Sequence, residues 1–448
     1  MVPSYPSITR LFGLELEFFL VDKKGNISNK ADLVINNMKK KLVGSEITTE
    51  SGKSMVELKT FPSRSSRGIF GDFFNDLKTF LYELDVNDLK PFYYGTYPGK
   101  NTSEKRIEPR YKVKENILGS EQWPIAQRCI GFHHHYTLPR NSINPNINFF
   151  YPDLNNVKQE KIVNLYNLYT ALDPAVTTFM QSSPYNEGKL MGKDSRVMLY
   201  RGDTIFSPLN MLYLNQPEFG VLEDYIPDFP SLIDRIKQKS GKWQKLLRYQ
   251  GYDYNNFAKK DSKPSFLDSG WNPVKISPHC TIESRGADMN SLCKIVALST
   301  LLKALSKYVQ NNHIKIKPGL TGIKEPFKLE NDVIHVPEFT HLKTRLQYNS
   351  ALKGMDDKET YNYCKSLLKL AKKILSVESR APLRVFSKMI YDKKTTSDDI
   401  ISFVRKRQGS YKNIEEETAK ELAVKAGEDI YKDLIITEQM IEKNFVPY

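Results

Sequence analysis

The stretch FGLELEF, residues 12–18, constrains this chain more than any other. Leu14, Leu16 and Phe18 alternate with Glu15 and Glu17, which is the period of a strand. One face is therefore apolar, and the other carries two carboxylates about 7 Å apart. Three more short stretches share the pattern of a charged or metal-competent side chain on a strand's second face. SMVELKT has Glu57, with Glu50 seven residues earlier; GFHHHYT has His133 and His135; CTIESRGAD has Glu283 and Arg285. Their opposite faces carry Leu14, Leu16, Phe18, Val56, Leu58, Ile130 and Phe132. In an antiparallel sheet the polar faces of neighbouring strands merge into one surface, and helices cover the apolar side. Each pattern alone also describes a solvated strand face, a satisfied histidine pair or a surface ion pair. Together they describe carboxylates crowded on one surface, which repel unless a cation neutralises them. Mg²⁺ or Mn²⁺ suits carboxylate oxygens, and added histidines suit Mn²⁺ especially.

The surrounding chain supplies the helices. RGIFGDFFNDLKTFLYEL (67–84) repeats Phe70, Phe73, Phe74, Leu77, Phe80 and Leu81 at helical spacing. Further helices are expected at about 31–42, 157–182 and 289–310, and strands at about 88–99 and 127–139. Residues 205–275 are rich in Tyr, Pro and Asp without a clean period and read as loops with short helices. Beyond about 311 the composition shifts to Gly, Pro and Lys, then to helices near 357–376, 396–407 and 414–443. TTSDDIISFVRKRQG has a capping start and a closing glycine, with Arg405, Lys406 and Arg407 as a charge cluster at the helix end. The organisation expected is one unit over 1–329, with a loop-rich insertion near 205–275, and a helical segment over 330–448 packed on it. His134 points to the apolar face by parity and reads as structural. Asp288 reads as the N-cap of a helix beginning at Met289.

Composition narrows the class. The 448 residues are 40% hydrophobic, enough for a sizeable core. The longest apolar run, residues 292–309, is broken by three lysines and falls short of a membrane span. The N-terminus lacks the layout of a signal peptide. Cys129, Cys280, Cys293 and Cys364 are scattered and form no zinc motif, so reduced thiols and a cytoplasmic location are expected. The net charge of +14 favours anionic partners such as nucleotides, without choosing among them. No basic stripe interleaved with aromatics supports nucleic-acid binding.

In order and spacing, these stretches resemble the glutamate–cysteine ligase family, in its carboxylate–amine ligase branch. FGLELEFFLVD resembles G-x-E-x-E-F-x-L-V-D, and ESGKSMVELKT resembles E-L-x-x-S-M-V-E-x-x-T. GTYP (95–98) and PRY (109–111) are two further landmarks. GFHHHY is similar to G-x-H-V-H-V, with His134 in place of the valine. SSPYNEG (182–188), Asp194 and Arg201 resemble the next segment, and WNPVKISPHCTIESRGAD resembles W-D-x-R-P and then G-T-x-E-x-R-x-x-D. Two departures flank the expected substrate pocket: Val274 or Lys275 stands where the arginine of W-D-x-R-P belongs, and Asp194-Ser195-Arg196-Val197 replaces D-T-G-Y after an insertion at 189–193.

The resemblance implies an α+β fold like that of glutamine synthetase: a curved, mainly antiparallel sheet forming a funnel, with helices outside. It implies ATP-dependent joining of a carboxylate to an amine through an acyl phosphate. Glu15, Glu17, Glu50, Glu57 and Glu283 would hold two or three Mg²⁺ ions, or Mn²⁺, with His133 or His135 completing a shell or meeting phosphate. Arg110, Arg201 and Arg285 would clamp phosphate or substrate carboxylate, and Tyr111 would orient them. The implied acid is glutamate and the amine cysteine or another amino acid. A peptide or protein substrate, a non-catalytic nucleotide- or nucleic-acid-binding relative, and a homo-oligomer stay open at this point.

Overall fold

The computed structural model describes residues 10–252, 265–319 and 325–444. Its centre is an open, antiparallel, seven-stranded sheet. Its strands are β1 (Phe12–Asp22), β2 (Ser45–Thr49), β3 (Met55–Thr60), β4 (Leu89–Phe92), β5 (Gly131–Thr137), β6 (Val274–Ser277) and β7 (Thr281–Asp288). The order is β6-β7-β5-β1-β3-β2, and β4 pairs with the far end of β1. The alternation in β1 is obeyed: Leu14, Leu16 and Phe18 are buried in the core, while Glu15 and Glu17 face the other way with the polar residues of β3, β5 and β7.

The helices form where capping and period dictate. They begin with α1 (Ala31–Met38) and α2 (Ser66–Val86), where Ser65 accepts a hydrogen bond from Gly68 and Phe80 meets Phe18 of β1. Next come α3 (Pro109–Leu118), with proline in its first turn, and α4 (Asn156–Met180), capped by Asn155. The short α5 (Ser195–Tyr200) is capped by Asp194, and α6 spans Phe229–Tyr249. α7 (Leu292–Asn311) packs against β5 and α4, while α4 runs along β7. Continuing the core are α8 (Lys358–Ile374), α9 (Arg384–Asp392), α10 (Thr396–Gln408) and α11 (Glu416–Asn444). Leu367, Phe386, Ala423 and Ile430 of these helices belong to the same apolar cluster as Leu16 and Phe132. The capping start expected in TTSDDIISFVRKRQG takes the form of a capping box between Thr395 and Asp398, and Gly409 ends α10 with φ at 74°.

Several elements differ from expectation. The 205–275 stretch holds the 21-residue helix α6, although residues 253–264 of it lie outside the described segments. A small sheet, β8 (Lys315–Pro318), β9 (Lys328–Glu330) and β10 (Val333–Val336), forms where only Gly, Pro and Lys texture was read. Asp288 does not cap a helix at Met289. It ends β7, α7 begins at Leu292, and the Asp288 carboxylate accepts hydrogen bonds from the Ser182 amide and the Ser183 hydroxyl at 2.9 and 2.6 Å. His134 is buried and stacks on Phe12, the structural position that parity gives.

Candidate active site

Strand register assembles the polar face. Glu17 stands opposite Glu57; Glu15 stands opposite Lys59 on one side and His133 on the other; Glu283 stands opposite His135 and Lys275. Glu50 reaches the same surface from the turn before β3. Three overlapping groups have ligand atoms within 4.8 Å of one another: Glu15, Glu57 and His133; Glu15, His135 and Glu283; Glu17, Glu50 and Glu57. All seven residues expected to bind metal are therefore brought together.

Their ionisation follows from burial and neighbours. Burial, then the charge of Glu50, pushes Glu17 up to about 8. Burial, with Glu15 and Glu50 nearby, holds Glu57 well above the carboxylate range. Glu15 is also buried, but hydrogen bonds from His133 and His135 outweigh that and hold it well below its ordinary value. Glu283 is lowered despite burial because Arg285 stands 2.5 Å away. Burial, then Arg285, lowers His133 to about 4, so its ring is neutral. Its Nδ1 lies 2.9 Å from the ionised Glu15 carboxylate and so carries the proton. Nε2 of His133 is left with its lone pair in the acidic groove, buried and without a hydrogen-bond partner, whereas Nε2 of His135 stands 3.4 Å from Glu15 Oε1 and 3.5 Å from Glu283 Oε1. Paired buried acids and the aimed imidazole lone pair of His133 are the donor set of a divalent cation, and these residues fit one.

A cationic rim faces this groove. Arg285 pairs with Glu283 and lies 5.8 Å from the Trp271 ring centre. Arg110 bonds Glu108 at 3.1 Å and the Tyr111 hydroxyl at 2.6 Å, and lies over the Tyr111 ring. Lys114 comes one turn after Arg110 along α3, and burial, then the charges of Arg110, Lys275 and Arg285, lowers it to about 8. Arg201 does not join the rim. It is fully buried, grips Asp173 through two bonds of 2.6 and 2.9 Å, and bonds Gln347. The phosphate-clamping place expected for it is corrected accordingly: its charge is spent on a carboxylate of α4.

Sequence reading passed over three charged groups here. Lys59 lies two residues from Glu57 and so shares its face; strand parity alone finds it. Lys114 is reached by helical spacing after Arg110. Arg196, noted above only as part of a departure from D-T-G-Y, is buried beside Trp271 and donates to the carbonyls of Arg285, Gly286 and Ala287 at 3.1–3.2 Å. A cleft of about 1060 Å³ opens elsewhere, between α4, residues 224–230 and β8, and includes none of these groups.

The whole chain is similar in fold to glutamate–cysteine ligase from Francisella tularensis, solved in complex with AMP: TM-score 0.56 at 14% identity, covering 99% of this chain and 96% of that one. It is also similar to a bifunctional glutathione synthetase from Pasteurella multocida, with TM-score 0.55 and 14% identity, covering 97% of this chain and 56% of that longer one. No curated protein matches it in sequence. The sequence profile of glutamate-cysteine ligase family 2 matches residues 11–307, a span that holds every residue of the acidic groove and its cationic rim. The chain belongs to that family and is an ATP-dependent carbon–nitrogen ligase.

Proposed function

We propose that the protein joins the carboxylate of one amino acid to the amine of another, in the cytoplasm, with glutamate as the acid and cysteine or a related amino acid as the amine. The observation that carries this reading is the buried groove of Glu15, Glu17, Glu50, Glu57, Glu283, His133 and His135 beside Arg110, Lys114 and Arg285. A carboxylate is a poor electrophile. Transfer of the ATP γ-phosphoryl group to a carboxylate oxygen forms a P–O bond, breaks the bond to the β-phosphate and yields ADP and an acyl phosphate. The amine nitrogen then forms the C–N bond, phosphate leaves, and the nitrogen gives up a proton.

Glu15, Glu17, Glu50, Glu57, Glu283, His133 and His135 would hold Mg²⁺, or Mn²⁺, which would offset the charge of the phosphates. The chain's own groups do the rest. Arg285, fixed by Glu283 and Trp271, presents N–H groups to an anion at the groove. Arg110 and Lys114 add positive charge from α3 and orient the second anionic group. Tyr111 fixes the Arg110 guanidinium.

The test is ADP release measured for glutamate and other amino acids, each with and without cysteine, with the product identified by mass. Glutamate with an amino-acid amine should give ADP and a dipeptide. ADP release only when a peptide or protein terminus is supplied would reassign the substrate to a macromolecule. Glu283→Gln should lower turnover at least about 100-fold while the circular dichroism and melting curve persist. Full activity in that variant would remove Glu283 from the reaction.

A further inference from the structure

The acidic groove already contains one cation of its own. Lys59 lies on β3 two residues from Glu57, and its ammonium stands 2.8 Å from Glu57 Oε2 and 3.7 Å from Glu15 Oε1. These are two of the three members of the middle ligand group, Glu15, Glu57 and His133. The third member, His133, is 2% exposed and directs a hydrogen-bond-free Nε2 into the same groove. The other two groups keep members that Lys59 does not contact: His135 and Glu283 in one, Glu17 and Glu50 in the other.

We infer that Lys59 is a built-in counter-ion that occupies the middle cation position, so that the groove takes divalent ions at two of its three ligand groups. This rests on the metal-binding reading proposed above. The physical argument is exclusion. A divalent ion of the Mg²⁺ class binds carboxylate oxygens at about 2.0–2.1 Å and demands a nearly complete shell of oxygens. An ammonium hydrogen-bonded to Glu57 uses lone pairs that such an ion would need, and it repels a second cation at that distance. Lys59 is also hard to displace. It is anchored on a strand between β1 and β2, and its withdrawal would leave Glu17 and Glu57, directly opposed across β1 and β3, with less compensating charge. A tethered ammonium costs no metal and is present at every metal concentration. It places a fixed positive charge between the two remaining positions.

The experiment counts ions rather than turnover. The full-length protein is dialysed against Mn²⁺ with a saturating non-hydrolysable ATP analogue, and free Mn²⁺ is read by electron paramagnetic resonance. Lys59→Met should bind one more Mn²⁺ per chain than wild type, and Lys59→Arg, which keeps the charge, should bind the wild-type number. Lys59→Gln serves in place of Lys59→Met if the latter does not fold. Equal, non-zero counts in wild type and the neutral variants would overturn the assignment of Lys59 and leave the metal reading standing. Zero protein-bound Mn²⁺ in every variant would overturn both.

Discussion

At the residue scale, the groove stores protons that a cation must expel. Glu17 titrates near 8 instead of 4.5, and Glu57 is raised with it. Without metal, the folded protein therefore holds protons that the unfolded chain has released, and stability must fall as pH rises, by about 1.4 kcal/mol per pH unit for each such proton. His133 and His134, lowered to about 4 and about 3 from 6.5, act in the opposite sense, but only below 6.5, where unfolded histidines take up protons. Lys114 and Lys303, lowered to about 8, oppose the glutamates only as the pH nears that value, so the glutamates dominate between pH 6.5 and about 7.5. Calorimetry in chelator should show the melting temperature falling across that window, and saturating Mg²⁺ should raise and flatten it. A metal-free melting temperature that climbs from pH 6.5 to about 7.5 would contradict the assignment. The ligand residues were legible because strand parity is rigid: Glu15, Glu17, His133, His135 and Glu283 could point nowhere else once their strands paired. Arg201 was misread because nothing local announces that Asp173, 28 positions earlier, waits for it inside the core. A guanidinium expected at the phosphate is instead one half of a buried pair, whose loss is a matter of stability.

At the element scale, the decisive irregularity is the register shift of β7 against β5 between Ser284 and Ala287. The carbonyls of Arg285, Gly286 and Ala287 take their hydrogen bonds from Arg196. Gly131 makes room for that guanidinium: a Cβ there would stand 2.2 Å from Arg196 Nη2. Arg196→Lys and Gly131→Ala therefore disturb one contact from its two sides. Each is expected to cost about 1–3 kcal/mol of unfolding free energy, because buried carbonyls lose donors. The double variant should cost less than the sum by more than about 0.5 kcal/mol. Denaturant unfolding of the four proteins checks this, and strict additivity would show that Gly131 and Arg196 act independently. Arg285 lies inside the shifted stretch, so turnover should drop in both single variants. A bulge of this kind has no signature in GFHHHY or TIESRGAD, because both patterns read as unbroken alternation. The helix α6 was hidden differently. Leu232, Ile236, Trp243 and Leu247 do recur at helical spacing after Asp228 and Pro230, but the aromatic and acidic residues on either side mask the start signal.

At the scale of the whole molecule, every residue of the acidic groove and its cationic rim lies at or before β7. That division explains why the motifs fade after about residue 310. A core helix needs only its apolar period, which many sequences satisfy, so the C-terminal helices were legible as elements but not in their partners. The last of them, α11, lies against β4, α2 and α7. Its small residues set the approach: a Cβ on Gly427 would meet Lys90 Cβ at 2.7 Å, and one on Gly99 would meet Ala419 Cβ at 2.9 Å. Ala423, Ala426, Ile430 and Leu434 are buried in the same cluster as the apolar face of β1. Helices α8, α9 and α11 thus share the core of the central sheet, while Ile400 and Val404 of α10 pack with Tyr185, Ile414, Ala419 and Leu422 in a smaller cluster; the shared core predicts that both halves unfold together. Calorimetry of the full-length protein should show a single transition. Gly427→Leu, which forces α11 away from Lys90 and the carbonyl of Pro91, should lower its midpoint by several degrees, in line with a cost of about 1–3 kcal/mol for overpacking. A chain ending at residue 415 should lose cooperative melting and ADP release together, because β4 and α7 would expose apolar surface now covered by α11. If that shorter chain melted cooperatively and turned over ATP, residues 416–448 would be an accessory layer, and the single shared core would have to be abandoned.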